Sequence, residues 1–364
     1  MRILTVFGTR PEAIKMAPVI RSAREAGIDT CVCVTAQHRG MLDQVMEVFG
    51  LKADFDLDLM EENQSPPSVA ARIFETLGPV LVSARPDWLL VQGDTTTTFA
   101  AAFVGYHHHV RVGHIEAGLR TDNKWQPFPE EMNRRLVTTL TDLHFAPTQR
   151  AANALAAEGV PLDRIRVTGN TVVDALQEIL QRPPAFTDPQ LRALSGRIVL
   201  LTAHRRENQG ERLEQICLAA KDLLQKFPDI TLVFPVHPNP NVTAIVRRLL
   251  GGQPRTVLTN PLPYPDFVHL MKSATLILSD SGGVQEEAPT LGTSVLVLRD
   301  VTERPEAAES GWAKVIGTKR SAIVEHASAW LENSRRTGPV ARENPFGDGH
   351  ASARIIQALR KWQP

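Results

Sequence analysis

The sequence predicts two doubly wound parallel α/β domains with an active site in the cleft between them. Three observations carry that prediction. Short apolar strands alternate with amphipathic helical segments along the whole chain. The alternation pauses at VTGN (167–170), passes through a helix and the proline-rich QRPPAFTDP (181–189), and then restarts. At 364 residues the chain also exceeds a single typical domain.

In the first half, RILTVFG (2–8), DTCVCVTA (29–36), WLLVQGD (88–94), VRVGHIEA (110–117) and DLHFAPT (142–148) read as strands. Between them EAIKMAPVIRSAREAG (12–27) and EEMNRRLVTTLT (130–141) have helical periodicity. RIRVTGN (164–170) closes the half, and the second half supplies GRIVLLTAH (196–204), ITLVFPVHP (230–238), RTVLTNP (255–261), ATLILSD (274–280) and TSVLVLR (293–299). The expected division is 1–169, joined by a closing helix at 350–364, and 170–349.

Composition removes several function classes. Lys and Arg total 40 and Asp and Glu total 40, so a large nonspecific surface for nucleic acid or anionic membrane is not expected. No apolar run reaches the roughly 18 residues of a membrane span, and MRILTVFG leads straight into strand-like sequence rather than a signal peptide, so a cytoplasmic protein is expected. Cys31 and Cys33 share one face of a predicted strand and Cys217 lies in a helical pattern. A buried reduced pair is the expectation, with neither a disulfide framework nor a metal site. His107, His108 and His109 diverge in direction as adjacent residues do, which suits a solvated turn better than a metal cluster.

The most informative segment is SDSGGVQEEAPTLG (279–292). A buried strand breaks at a glycine pair and opens a helix with two carboxylates expected in its first turn. Ser281, Gly282 and Gly283 would present N–H groups and a hydroxyl to an anion, with the helix dipole behind them. Such a loop cradles a diphosphate. Glu286 and Glu287 would repel a phosphate beside them but suit the paired hydroxyls of a ribose.

Open parallel sheets bind ligands beyond the carboxyl ends of their strands, so polar residues there are the candidates. Arg10 and Lys15 follow the first strand and would face the cleft as phosphate contacts. The loop has no G-x-G-x-x-G, so no tightly bound nicotinamide cofactor is expected. Asp94 fits either a helix N-cap or a functional carboxylate. Glu116, in a glycine-flanked loop, has no evident structural task and reads as functional. Glu130 and Glu131 begin a helix, where acidic residues also serve the dipole; Arg134, four residues after Glu130, either orients it or pairs with it at the surface. From the second half His204 arrives with two arginines, Arg205 and Arg206, and His237 holds the next comparable position.

Together these segments resemble the non-hydrolysing UDP-N-acetylglucosamine 2-epimerases over essentially the whole chain. FGTRPE (7–12), QHRGMLDQV (37–45), QGDTTTT (92–98), HIEAGLR (114–120), PEEMNR (129–134), HRREN (204–208), HPNP (237–240) and SDSGGVQEE (279–287) match the family's motifs in order. The resemblance implies two Rossmann-like domains in a GT-B-like fold with UDP in the interdomain cleft. It implies that Arg10 contacts phosphate, Ser281, Gly282 and Gly283 cradle the diphosphate, Glu287 holds the ribose, Phe267 lies beside uracil and Arg304 completes the nucleotide site. Lys15, Asp94, Glu116, Glu130, Arg134 and His204 would surround the sugar. UDP-N-acetylglucosamine and UDP-N-acetylmannosamine are the expected ligands, no cofactor or metal is implied, and a homodimer is the expected assembly.

The substrate's chemistry constrains the reaction. C1 of the sugar is an acetal carbon, so no carbonyl acidifies the hydrogen at C2. Loss of UDP from C1 with the proton from C2, giving 2-acetamidoglucal, is the economical route; re-addition from the opposite face then needs two placed acid/base groups. Asp94, Glu116 and Glu130 are the expected set, with Arg10, the SGG loop and His204 stabilising the departing diphosphate. A hydrolysing epimerase, a GT-B glycosyltransferase and a non-catalytic nucleotide-sugar sensor are the alternatives; the sensor would not need the carboxylates of the first domain. The resemblance also implies a second, regulatory UDP-N-acetylglucosamine near Gln37, His38 and Arg72, with Arg205 and His237 from the second domain. Gly40 stands where related sequences carry a longer polar residue.

Overall fold

A computed structural model describes residues 1–35, 39–59, 64–333 and 343–362. The chain divides into two compact units, Met1–Gln177 with Phe346–Pro364, and Glu178–Pro345.

Unit 1 holds a seven-stranded sheet of β1 (Arg2–Phe7), β2 (Asp29–Val34), β3 (Phe55–Asp56), β4 (Trp88–Gln92), β5 (Arg111–Ile115), β6 (Leu143–Ala146) and β7 (Ile165–Val167). Its order is β3-β2-β1-β4-β5-β6-β7, and among the described residues every strand pairs with its neighbours in parallel. Strands covered on both faces read as continuous apolar runs, and all five residues of β4 are buried. The order reverses between β1 and β4, so the loops after these two strands diverge and open a crevice at the carboxyl edge.

Unit 2 repeats the pattern with β8 (Arg197–Thr202), β9 (Ile230–Pro235), β10 (Thr256–Thr259), β11 (Ala274–Ser279), β12 (Val295–Val297) and β13 (Ala313–Val315). The order β10-β9-β8-β11-β12-β13 puts its reversal between β8 and β11. Val199, Leu201, Phe234, Leu276 and Leu278 from these strands pack with Ile216, Ala220 and Leu223 of the helix Glu211–Lys226. The sheet thereby presents the ends of β8 and β11 side by side.

The closing helix, Ala351–Lys361, belongs to unit 1. Asp174 accepts the N–H groups of Ala351 (3.2 Å) and Ser352 (2.8 Å), which satisfies donors that the first turn leaves open. At the other end Arg360 donates to the carbonyl of Ala26, and Trp362 meets Trp88 edge to face with centroids 5.1 Å apart. Cys33 and Cys217 are buried and their thiols are pushed up to about 12 by burial, whereas Cys31 is only half-buried and all three are free. His107 ends a helix, and His108 and His109 are exposed beyond it. Among the described residues no helix is long and apolar enough to cross a membrane, and no cluster of ligands could hold a metal.

Candidate active site

In unit 1 the site begins where β1 gives way to the helix Arg10–Glu25. Arg10 is the first helical residue. Glu12 turns back to accept the N–H groups of Gly8 (2.9 Å) and Thr9 (2.7 Å), and its other oxygen accepts the hydroxyls of Thr95 (2.5 Å) and Thr98 (3.3 Å). One buried carboxylate therefore ties the loop after β1 to the loop after β4, across the reversal of strand order. Burial raises its pKa, and these hydrogen bonds oppose the rise.

Glu116 follows β5 with φ at 65°, a left-handed conformation that costs a residue with a Cβ on the order of 1 kcal/mol. The side chain is buried among donors. Lys15 Nζ lies 2.5 Å from Oε1, Asn170 Nδ2 donates to the same oxygen at 3.2 Å, and Gln92 Nε2 donates to Oε2. Gly93 keeps its own positive φ beside this group, and its carbonyl meets His114 Nε2 at 2.7 Å. Burial drives His114 down to about 4, so the ring is neutral at pH 7 and Nε2 carries the hydrogen.

Asp94 lies in the turn after β4, but the cap of the helix Thr96–His107 is Thr95, whose hydroxyl accepts the N–H of Thr98. Of the two readings open for Asp94, the helix N-cap is thus excluded, since Thr95 one residue later fills it. Asp94 instead accepts Nε (2.9 Å) and Nη2 (2.7 Å) of Arg134, and Asn133 binds its carbonyl. Arg134 also reaches Glu131 at 3.1 Å; Glu131 is wholly buried and accepts the N–H of Thr121 as well. Glu130 is the first residue of the helix Glu130–Leu140 and is half-buried.

In unit 2 the helix Gly282–Leu291 starts directly after Ser281, which stands at its N-cap. Both glycines lie inside the helix, so Glu286 and Glu287 fall in its second turn and no acidic residue occupies the first. The expectation of carboxylates in the first turn is corrected: the helix starts at the glycines rather than after them. The result leaves the first-turn N–H groups without a competing negative charge. A Cβ built on Gly282 would stand 3.5 Å from Arg304 Cζ and 3.6 Å from Arg205 Nη2, so two guanidinium groups flank the helix start. Arg205 Nε is buried with no hydrogen-bond partner among the described residues, a deficit that an anion would relieve. Arg304 Nε binds Glu286 at 2.7 Å, and Tyr264 donates its hydroxyl to Glu287 at 3.3 Å. Phe267 is half-buried on the helix Tyr264–Ser273, which also carries Tyr264.

His204 follows β8 with its Nδ1 3.3 Å from Asp280, and its ring stacks on His237 at 14° with centroids 6.2 Å apart. Arg72 lies in unit 1 on the helix Pro66–Ala84 and donates to the carbonyl of Leu59. Gln37 and His38 lie outside the described residues. Sequence reasoning did not single out Glu12, Gln92, Asn170 or Asp280, and it gave Glu131 no role apart from Glu130. Each is a polar residue at or beside a strand end, the signal that marked the others, but what each one holds depends on contacts remote in sequence.

Two Rossmann-like sheets, each with buried charged groups gathered at its carboxyl edge, define a two-domain α/β enzyme fold of the nucleotide-binding kind. The family model described as UDP-N-acetylglucosamine 2-epimerase matches residues 21–360. The chain is 47% identical to a UDP-N-acetylglucosamine 2-epimerase of Yersinia pestis, covering 100% of this chain and 99% of that one. The crystal structure of the Neisseria meningitidis enzyme bound to UDP-GlcNAc superposes with a TM-score of 0.93 at 47% identity, over 99% of this chain and 100% of the other. A Methanocaldococcus jannaschii UDP-GlcNAc 2-epimerase in complex with UDP-GlcNAc and UDP gives 0.84 at 32% identity, over 99% of each chain. The chain belongs to the UDP-N-acetylglucosamine 2-epimerase family, and is an isomerase with the paired Rossmann-like domains of the GT-B-like fold.

Proposed function

We propose that this protein interconverts UDP-N-acetylglucosamine and UDP-N-acetylmannosamine by anti elimination and re-addition. A base takes the proton from C2, the C1–O bond breaks with its electron pair leaving on UDP, and a C1=C2 double bond forms in 2-acetamidoglucal. An acid then returns a proton to the opposite face of C2 while the diphosphate oxygen re-forms the bond to C1. No net oxidation occurs, so the route needs no redox partner. Asp94, Glu116 and Glu130 are the acid/base set, with Lys15 and Arg134 orienting two of them. Arg10, the first turn at Ser281, Gly282 and Gly283, and His204 stabilise the diphosphate as charge develops on it. Glu287, Phe267 and Arg304 bind the rest of the nucleotide. On this reading unit 2 binds UDP and unit 1 carries the groups that act on the sugar.

The observation that carries the proposal is Glu116, a buried carboxylate on a left-handed backbone at the end of β5, held by Lys15, Gln92 and Asn170. Strain of this kind gathers where a side chain must be aimed. The test is incubation with UDP-N-acetylglucosamine in D2O. UDP-N-acetylmannosamine bearing deuterium at C2 is the expected product. Retention of the original hydrogen rules out the elimination, and free N-acetylmannosamine as the main product rules out the non-hydrolysing class.

The regulatory reading also stands as a proposal: a second UDP-N-acetylglucosamine engages Gln37, His38, Arg72, Arg205 and His237 and favours the state that excludes water from the glucal. A reverse reaction that starts without a lag and ignores a trace of UDP-N-acetylglucosamine would overturn it. For the homodimer, the candidate face is an aromatic cluster in unit 1, where Phe74 and Phe103 meet at 5.1 Å and Tyr106 is 60% exposed. Phe103→Glu is expected to yield monomers in sedimentation; a dimer that persists assigns the interface elsewhere.

A further inference from the structure

Gln285 is wholly buried in the helix Gly282–Leu291, one turn after the N-cap Ser281. Burying an amide costs free energy unless its polar atoms are bonded, and a Leu or Met would fill similar space without that cost. The amide of Gln285 is used at both ends. Helical side chains lean back toward the N-terminus, so this one covers the turn that opens the helix. There Nε2 donates to the carbonyl of Ser281 at 3.1 Å, and Oε1 accepts the hydroxyl of Thr302 at 2.5 Å. The Thr302 oxygen in turn accepts the backbone N–H of Arg304 at 3.1 Å.

Each hydrogen in this relay has one possible direction. A backbone N–H only donates and a carbonyl only accepts, so Thr302 receives Arg304 and passes its single hydrogen to Oε1, which leaves Nε2 for Ser281. The two segments so joined flank the place where an anion would meet the helix: Ser281 stands at its N-cap, and Arg304 Cζ lies 3.5 Å from a Cβ position on Gly282. Other contacts also hold the Arg304 loop. Arg299 grips Glu303 at 2.8 and 3.1 Å, and Arg304 Nε binds Glu286 at 2.7 Å. Those fix the loop to itself and to the second turn of the helix, whereas the Gln285 amide ties it to the N-cap.

We propose that Gln285 is a positioning residue of the nucleotide half-site: through Thr302 it holds Arg304 in register with the helix start, so that the guanidinium and the first-turn N–H groups converge on the diphosphate. With no exposed surface, Gln285 does not meet the ligand itself. The inference rests on the assignment of UDP to unit 2 and deepens it, because it separates a group that aims the anion's partners from the groups that touch the anion.

The experiment is calorimetric titration with UDP and NMR titration with uridine, on wild-type protein, Gln285→Met, Thr302→Val and the double variant. Methionine adapts to the buried space and valine keeps the branched shape of threonine, so each removes the link and little else. Each single variant is expected to weaken UDP roughly three- to tenfold, the scale of one hydrogen-bonded link, and to leave uridine, which carries no phosphate, within about twofold. The double variant should bind no more weakly than the worse single one, because both changes cut the same relay. Undiminished UDP affinity in both single variants overturns the proposal. So do an equal weakening of uridine, a loss confined to one of the two variants, and losses that multiply in the double variant. If Gln285→Met does not fold, the UDP and uridine affinities of Thr302→Val decide alone. Wild-type protein that binds no UDP overturns the nucleotide reading and this proposal with it, whereas wild-type binding with unaltered variants overturns this proposal alone.

Discussion

Glu116→Gln tests the site most directly, because the same contacts predict two separable effects. The Glu116 side chain is 6% exposed and that of Lys15 is 11% exposed, so the substitution removes one partner of a nearly buried pair. Such a loss costs about 3–5 kcal/mol, mostly from the charge left behind. Glutamine retains one acceptor oxygen for Lys15 or Asn170 but turns an amide toward the donors that now converge on the carboxylate, so the lower end, about 3 kcal/mol, is expected. In a unit of about 200 residues, each kcal/mol moves the melting temperature by roughly 2–4 °C, so a fall of about 6–12 °C in the unit 1 transition follows. Turnover, read as deuterium incorporation at C2, is expected to fall about 10²–10⁴-fold, or about 3–5 kcal/mol in barrier. UDP affinity should change little. The double variant Lys15→Met with Glu116→Gln separates the effects: removing the stranded cation restores much of the stability, while turnover stays low. Equal stability of the single and double variants would refute the ion-pair argument, and near-normal turnover in Glu116→Gln would refute the acid/base role.

Gly282→Ala should stabilise the helix by roughly 0.5–1 kcal/mol while lowering UDP affinity at least about tenfold, because its methyl would sit between Arg304 and Arg205 where an anion belongs. Calorimetric titration showing unchanged affinity would count against the cradle. Glu287→Gln is expected to weaken UDP in the same titration without lowering the melting temperature by more than about 1 kcal/mol equivalent; unaltered binding removes the ribose assignment. Acid should destabilise unit 1 through two buried rings, since burial lowers His114 to about 4 and His144 to about 3. Both folded pKa values lie below the ordinary one of about 6.5, so the unfolded chain binds the protons first; this stability is present above about pH 6.5 and is lost as pH falls toward 4 and 3, by up to about 1.4 kcal/mol per pH unit for each ring. Urea midpoints between pH 7 and 5 check this, and a slope unaltered by His144→Leu would contradict it.

The architecture was legible in the sequence because burial of a parallel sheet on both faces leaves a simple trace. Strands such as WLLVQ and TLILS carry no polar interruption, and the polar residues immediately after them mark the carboxyl edge. What the sequence concealed were the short edge strands β3, of two residues, and β13, of three, which pair on one side only and need little apolar run to form. The site divides along the same physical line. Glu116 stood out because no cap or local partner accounted for it, whereas Asp94 could not be told from a cap until Thr95 took that role. Glu131 and Glu130 are indistinguishable as first-turn carboxylates, yet folding buries Glu131 completely against Arg134. The distinction lies in contacts from elements distant in the chain, which no spacing rule encodes. Asp280 shows the consequence most clearly: in sequence it is the last residue before a glycine loop, and in the folded unit it orders a loop more than seventy residues earlier. Groups that the proposed function sets against a ligand sit at strand ends and announce themselves by position. Groups that aim them are buried one layer behind, and only the sheet order, which makes β8 and β11 neighbours, reveals which loop each one holds.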